Sequence, residues 1–337
     1  MILILTDDSD PHANHVERRL RERGAEFLRF DPGQFPTNAH LSLTFSAGCT
    51  QARLHWKDED FDLSCVNSIW YRRPMPSVPH PEITEPVMRN YVEEECRIFM
   101  HDAWNVLECF WLPAPQPVIR RAELKASQLK LAASLGFELP PTLFSNSPED
   151  FLEFYRQHNG HVISKLASSS FYRFTAETFN RYTHIVSKRD VAYARTIRFC
   201  PVIFQAYVPK RVELRITVVG HEVFAAEIHS QHSNHTRHDW RRYDWYQTPY
   251  GIHELPRDLQ QRCIELVERL GLCYGAIDMV LTPDGRYVFL EINPNGQYLW
   301  IERATALPIT ESICDLLIAG DESHQPAQPE LGVCAHG

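Results

Sequence analysis

The sequence predicts an α/β protein built from more than one lobe. Three features carry this expectation. The chain opens as strand, loop, helix and second strand. A proline-rich interruption, PAPQP, stands at residues 113–117. Beyond it, strand-like runs and amphipathic helical stretches alternate along the chain.

The totals agree. At 337 residues the chain is too long for one small core and suits two or three packed lobes. A hydrophobic share of 44% and a charged share of 23% are ordinary for a globular protein. The net charge of −9 gives no general electrostatic pull on nucleic acid or anionic membrane, so neither is expected as a partner. Nine Cys, scattered without a close C-x-x-C pair, do not read as a disulfide framework or a zinc ribbon. The apolar start MILIL stops at Thr6, and no run approaches the ~20 apolar residues of a membrane span. A cytoplasmic protein is expected.

Ile2–Leu5 is a fully apolar run that suits a buried parallel strand. HVERRLRERG reads as a helix closed by Gly24, and Ala25–Phe30 as the next strand. This opening predicts a small doubly wound lobe, although it lacks a G-x-G-x-x-G loop. Leu41–Phe45 and Ala52–Trp56 alternate like a hairpin, Ser68–Tyr71 reads as a strand, and the stretch after Pro86 to Trp104 reads as helix. After the PAPQP linker, Glu123–Leu135 predicts a helix closed by Gly136. Ser147-Pro148-Glu149-Asp150 opens another, with Ser at the N-cap, Pro at N1 and acids in the first turn. Val162–Leu166 and Thr183–Ser187 read as strands and Asp190–Arg198 as a short helix. Val202–Val208, Leu214–Val219 and Glu222–Ile228 read as consecutive strands, Arg257–Leu270 as an amphipathic helix, and Tyr274–Leu281 with Tyr287–Ile292 as a hairpin.

The strongest chemical signal is GAIDMVLTPDGRYVFLEINPNGQ. Asp278 and Glu291 each sit inside an apolar strand, where an acid is costly unless something pairs with it. Two such acids on neighbouring strands repel, and a cation between them relieves the repulsion. Asn293, two residues past Glu291, shares its face. Three hard oxygen donors suit Mg²⁺, which takes its remaining ligands from water and phosphate. Arg215, stranded between apolar residues, calls for an anionic partner.

The D…FLEINPNG arrangement resembles the metal-binding end of ATP-grasp enzymes. A closer resemblance is to the ATP-grasp peptide maturases of the microviridin type, the graspetide ligases. It is carried by LKASQLKLAASLGFELPPTLFSNSPED, PVIFQAYVPKRVELRITVVG, DWRRYDW and GAIDMVLTPDGRYVFLEINPNGQYLWIE, which span most of residues 120–312. It implies an ATP-grasp fold with α+β lobes behind an N-terminal doubly wound pre-ATP-grasp domain. The expected boundaries are 1–115 for that domain, 116–200 for a central lobe, 201–320 for a C-terminal lobe, and 321–337 for a polar, disordered tail.

The resemblance further implies ATP and Mg²⁺ as cofactors. Lys125 and Lys165 would meet phosphate, with Lys130 competing for the first role. Gln205, Ala206, Tyr207 and Val208 would seat adenine and Glu213 the ribose. Arg215 and Arg241 would stabilise the transferred phosphate, and Asp239 is a candidate base, with orienting Arg241 as the alternative. The substrate implied is a ribosomal precursor peptide with leader and core. Its Asp or Glu side chains would become acyl phosphates, then macrocyclic ω-esters with Thr or Ser, or ω-amides with Lys. Arg189, Asp190, Val191 and Arg195, with Tyr193 and Ile197, form a candidate wall for an amphipathic leader helix; packing under the sheet is the alternative for Val191, Tyr193 and Ile197. A homodimer is expected.

Three rival readings stand beside this one. The first is an ATP-grasp ligase that adds amino acids to a small molecule or peptide. The second is a non-catalytic nucleotide-binding module. The third is a metal-binding protein built on His229, His232, His235 and His238, whose stretch is rich in turn-favouring Ser, Asn and Thr and reads rather as a loop over the nucleotide.

Overall fold

The computed structural model describes residues 1–47, 49–166, 172–174, 177–179, 183–229 and 249–324. It divides into two compact units. The first holds residues 1–120, 271–274 and the chain from 308 onward; the second holds 121–270 and 275–307.

The first unit is doubly wound, as its opening predicts. β1 (Ile2–Thr6) is flanked by β2 (Phe27–Phe30) on one side and, on the other, by a later strand. Between β1 and β2 runs α1 (Pro11–Glu22), which buries Ala13, Val16, Glu17 and Leu20 at helical spacing. An antiparallel meander follows: β3 (Ala39–Ser46), β4 (Cys49–Trp56) and β5 (Glu59–Asp62). The turn into β5 is formed by Lys57 and Asp58, both at positive φ. β6 (Ser68–Arg73) pairs in parallel with β1, and β7 (Phe110–Leu112) in parallel with β6, completing the order β2-β1-β6-β7. α2 (Pro86–Asn105) starts at Glu85, whose carboxylate accepts from the N–H of Val87 and Met88.

The meander and the parallel sheet share one core. Phe30 meets Trp56 and Trp104 edge-on, at 5.5 and 6.0 Å between ring centroids, with Leu54, Leu63, Ile69 and Met100 around them. The C-terminal helix, Ile309–Ser323, returns to this unit and buries Ile313, Cys314 and Leu317. Arg23 pairs with Glu311 and Asp315, and Gly320 lies against the Phe110 ring, where a Cβ would come within 2.4 Å.

Two boundaries therefore differ from those read in the sequence. The PAPQP segment is not a plain linker, because α3 (Gln116–Ala122) begins within it: Pro117 stands near the helix start, where its missing N–H costs nothing. The segment expected to be a tail from residue 321 is helical to Ser323, held by the packing of its apolar face rather than by its polar composition.

At the carboxyl end of the parallel strands lies a buried polar cluster. Thr6 Oγ1 donates to Asp10 Oδ2 at 3.2 Å, His12 Nδ1 stands 3.2 Å from Asp10 Oδ1, and Arg72 Nε 3.3 Å from Asp10 Oδ2. Asp10 also caps α1 by accepting from the His12 N–H at 2.7 Å. Burial alone would raise the Asp10 carboxyl; the His12 hydrogen bond and the Arg72 charge outweigh it and hold it well below the usual carboxylate range. Burial pushes the His12 imidazole down.

The second unit carries two larger sheets and a short separate hairpin. α4 (Lys125–Ser134) ends at Gly136, which takes φ +76° as a helix C-terminus requires. β8 (Thr142–Ser145) leads into α5 (Pro148–Gln157), capped by Ser147, which accepts from the Asp150 N–H at 3.1 Å. Then come β9 (Val162–Lys165), the short hairpin β10 (Tyr172–Phe174) and β11 (Glu177–Phe179), β12 (His184–Ile185), α6 (Lys188–Ala192) and β13 (Val202–Ala206). The order β12-β9-β13-β8 makes a small sheet backed by α5, with Phe151 against Phe204 at 4.3 Å between centroids.

The larger sheet comprises β14 (Val212–Val219), β15 (Glu222–Ile228), β16 (Tyr250–Ile252), β17 (Tyr274–Leu281) and β18 (Tyr287–Asn293), in the order β16-β15-β14-β17-β18. α7 (Arg257–Arg269) buries Leu259, Cys263, Leu266 and Val267, a pattern of one helical face, and packs on β14 and β15. α8 (Leu299–Thr305) follows β18. Among the described residues no helix is long and apolar enough to cross a membrane.

Asp10→Asn keeps an acceptor for the start of α1 but removes the negative charge facing buried Arg72. It is expected to cost roughly 3–5 kcal/mol of stability, read as a lowered urea midpoint; a cost within experimental error would mean the pair adds nothing to the first unit.

Candidate functional site

The candidate site grows from the β17–β18 pairing. Asp278 lies directly opposite Glu291, and Ala276 opposite Asn293, so all four point to one face. Past Asp278 the register skips Leu290, a one-residue bulge that re-aims the end of β18 carrying Glu291 and Asn293. Side chains directly opposite have Cβ atoms about 5 Å apart. At that separation two carboxylates repel by about 3 kcal/mol at an effective dielectric near 20. Both are half-buried, at 19% and 20% exposure, so solvent screens only part of this.

Each acid has its own cation. Arg215 of β14 donates from Nη1 to Asp278 Oδ1 at 2.9 Å, and from Nη2 to the Gln297 carbonyl at 3.0 Å. Lys125, at the start of α4, pairs with Glu291. The stranded Arg215 thus finds the anion that the sequence demands. Gly296 completes the arrangement by having no side chain: a Cβ there would lie 2.3 Å from Ala276 Cβ and 2.6 Å from Arg215 Nη2. Asn293 Oδ1 accepts from the Asn295 N–H at 3.0 Å, which ties the NPNG turn to the same face.

These donors fit Mg²⁺. Two carboxylates and an amide oxygen on one face form a hard oxygen set, and the cations now beside the acids show that the site accommodates positive charge. Among the described residues no group of three or more His, Cys, Asp or Glu is arranged for a metal, so the candidate set is two carboxylates with the Asn293 amide.

The nucleotide candidates lie on the same unit. Lys165 ends β9, opposite Ile203 of β13. Gln205 is buried in β13; its Nε2 donates to Thr142 Oγ1 at 2.9 Å, while its Oε1 is buried with no hydrogen-bond partner in the protein. The N–H groups of Ala206 and Tyr207 are spent on the Pro141 and His161 carbonyls, at 2.9 and 2.8 Å. An acceptor for an exocyclic amine is thus present at Gln205, and those two main-chain donors are engaged within the fold. Val208 follows the strand end. Glu213 shares a face of β14 with Arg215 and is ion-paired with Lys210 at 2.8 Å, both nearly buried.

Lys210 was missed by the sequence reading. Its signal was the three-residue step to Glu213 across the entry into β14. Gln128 was also missed; it is almost fully buried on α4, one turn past Lys125. Lys130, the rival to Lys125, is not the lysine that meets Glu291.

At the candidate leader wall, the structure divides the named residues. Asp190 is engaged locally: it accepts from the Ser187 N–H at 2.7 Å, from Ser187 Oγ at 2.6 Å, and stands 3.0 Å from His184 Nε2. The Ser187 hydroxyl, with His184, holds its carboxyl down to about 2. Val191 and Ile197 pack against the cluster of Phe151, Val162, Val186 and Phe204. Tyr193 and Phe199 remain exposed, at 60% and 74%, and Arg198 stacks over the Phe199 ring at 4.7 Å. Arg189 and Arg195 are exposed beside them.

Asp239, Arg241, His232, His235 and His238 lie outside the described residues. His229 is described. It stands 3.1 Å from Glu227 Oε2, and Glu227 Oε1 lies 2.7 Å from His253 Nδ1, whose Nε2 is 3.0 Å from the Tyr287 hydroxyl. Because Ala226 pairs with Arg215, neighbouring Glu227 faces the opposite side of the sheet from the carboxylate pair.

The model of the MvdD pre-ATP grasp domain matches residues 1–118. The macrocyclase MdnC of Microcystis aeruginosa MRC, solved bound with the precursor peptide MdnA, is 31% identical over 94% of this chain and 99% of its own, with a TM-score of 0.84. The chain belongs to the ATP-grasp ligases of ribosomal-peptide maturation. The macrocyclase MdnB of the same organism is 32% identical over 95% of this ligase and 99% of its own chain, with a TM-score of 0.80. A RiPP-associated ATP-grasp ligase of Chryseobacterium gregarium, in complex with ADP and a leader and core peptide, is 30% identical over 94% and 96%, with a TM-score of 0.87. No curated protein sequence matches the ligase. It is therefore an enzyme of the ATP-grasp fold with a pre-ATP-grasp domain, as the resemblance implied.

Glu291→Gln keeps the side-chain shape and removes one ligand charge. Turnover is expected to fall below about a tenth of wild type with an unchanged thermal midpoint; activity above that level would remove Glu291 from the metal site.

Proposed function

We propose that this ligase uses ATP and Mg²⁺ to activate Asp or Glu side chains of a ribosomal precursor peptide and to close ω-ester or ω-amide rings. The observation that carries this reading is the facing pair Asp278 and Glu291, each with its cation, in a fold that matches a peptide-bound macrocyclase along nearly its whole length.

The chemistry is a double transfer. A side-chain carboxylate oxygen attacks the γ-phosphorus, ADP leaves, and an acyl phosphate forms. A Thr or Ser hydroxyl, or a Lys amine, then attacks the acyl carbon and phosphate leaves. Asp278, Glu291 and Asn293 would hold Mg²⁺, which supplies charge neutralisation at the phosphate oxygens when bound. Lys125 and Lys165 are assigned to phosphate, Gln205 to Val208 to adenine, and Glu213 to the ribose. Arg215 is pre-aimed by Asp278 and Gln297, so its charge needs little reorganisation when a phosphate approaches. Arg241 is assigned to the same developing charge, and Asp239 to the base or to orienting Arg241.

The leader is assigned to the surface of α6 and the turn after it. With Asp190 committed to capping and Val191 and Ile197 to the core, the exposed features are Tyr193, Phe199, Arg189 and Arg195. That surface suits a leader with acidic and apolar residues at helical spacing. A homodimer and a cytoplasmic setting, where ribosomal peptide and ATP meet, complete the proposal.

The test is incubation with ATP, Mg²⁺ and the full-length precursor peptide, read by mass spectrometry. The expected result is loss of one water per ring with release of ADP and phosphate. A gain in mass would indicate an amino-acid-adding ligase, and bound nucleotide without turnover a binding module.

Arg189→Glu with Arg195→Glu is expected to raise KM for the leader-bearing peptide roughly tenfold, with turnover of leaderless peptide unchanged. Equal loss on both substrates would move this surface out of leader binding.

A further inference from the structure

The outer edge of β18 is closed by two unlike devices. At Phe289 the main-chain N–H donates to the Glu138 carbonyl at 2.9 Å, and Glu138 forms a parallel bridge with Val288. The bulge at Leu290 follows. Three residues beyond Phe289, a side chain takes over. The Ile292 N–H donates to Gln128 Oε1 at 3.2 Å, and the Ile292 carbonyl accepts from Gln128 Nε2 at 2.8 Å. The same Nε2 donates to the Ala122 carbonyl at 2.7 Å.

A primary amide that donates to and accepts from one residue reproduces the two-point pairing of a neighbouring strand. Gln128 is only 2% exposed and Ile292 is buried, so no water replaces these bonds cheaply. Ile292 is also the residue between Glu291 and Asn293. Its backbone sets the directions in which those two side chains leave the strand. The helix that supplies Gln128 supplies Lys125, three residues earlier and paired with Glu291. One turn of α4 therefore holds this strand end twice, once by a side chain and once by the main chain between the two oxygen ligands.

We propose that Gln128 is a positioning residue for the metal site: its amide stands in for a strand and fixes the pleat from which Glu291 and Asn293 project. The inference rests on the magnesium reading above and adds a residue that touches neither metal nor nucleotide. Without the amide, Ile292 loses both partners on its outer edge, the strand end beyond the bulge is held from the β17 side alone, and the aim of the two ligands loosens. Outer partners that orient metal ligands typically change metal affinity 10- to 100-fold when removed. A purely structural hydrogen bond would instead lower stability and leave metal binding alone.

The experiment is calorimetric titration of ADP into the whole protein, with Mg²⁺ and with EDTA, for wild type and Gln128→Met. The quantity read is the factor by which Mg²⁺ tightens ADP. In Gln128→Met that factor is expected to fall about tenfold or more, with ADP affinity in EDTA unchanged. Ser147→Ala, which removes the cap of α5, serves as a destabilised control and should keep the wild-type factor. A wild-type factor in Gln128→Met, with only a lowered thermal midpoint, overturns the proposal and leaves Gln128 as an edge closure. If Gln128→Met does not fold, Gln128→Asn, with its amide one methylene short, carries the test in the same direction. Absence of any Mg²⁺ effect in wild type would instead overturn the magnesium reading itself.

Discussion

Two carboxylates held opposite each other on adjacent strands set the terms for the second unit. Their repulsion is comparable to a sizeable fraction of a protein's net stability, so the fold must bring positive charge to them. Arg215 arrives from the next strand, β14, and Lys125 from α4. Each recruit imposes a further condition. Arg215 needs the Gln297 carbonyl to fix its second nitrogen, and it needs Gly296 to have no side chain. Lys125 needs α4 to begin at the right height, which the Gln128 bonds to Ile292 and Ala122 secure. The bulge at Leu290 lets β18 serve both ends: pairing with Glu138 before it, display of Glu291 and Asn293 after it.

Much of this was legible because strand parity is a property of spacing. Glu291 and Asn293 share a face because they stand two residues apart on one strand, and an Arg between apolar neighbours announces an anion; that Asp278 joins this face depends on the bulge at Leu290, which carries no sequence signal. The cap at Ser147 and the helix stop at Gly136 were legible for a similar reason: both are local chemistry. What was hidden depends on distant partners or unusual turns. β5 went unread because its turn uses Lys57 and Asp58 at positive φ, where Asn or Gly is the usual signal. Gln128 looks like any polar helix residue until the edge it closes is known. Lys210 looks like a surface lysine until Glu213 is placed beside it.

The candidate leader surface shows the same divide. Helical spacing grouped Val191, Tyr193 and Ile197, but a short helix followed by a tighter turn rotates them apart. Two of them face the core and one faces solvent. Asp190 reads as a charge available to a partner, yet the Ser187 three residues before it makes it half of a reciprocal cap. Composition fixed the basic, aromatic character of the surface; the backbone decided which side chains express it.

The helix Ile309–Ser323 has a bearing on how the chain matures on the ribosome. The first unit is almost wholly written by residue 120, but its last helix, with Ile313, Cys314 and Leu317 in the core and Arg23 paired to Glu311 and Asp315, is translated nearly two hundred residues later. At 5–20 residues per second that interval is roughly 10–40 s. During it the nascent first unit exposes the apolar ground that this helix will cover, while the second unit, encoded between those two stretches of sequence, emerges. Vectorial synthesis thus completes the second unit before the one that precedes it, and a nascent chain stalled before residue 309 would present chaperones with an open parallel sheet rather than a finished domain.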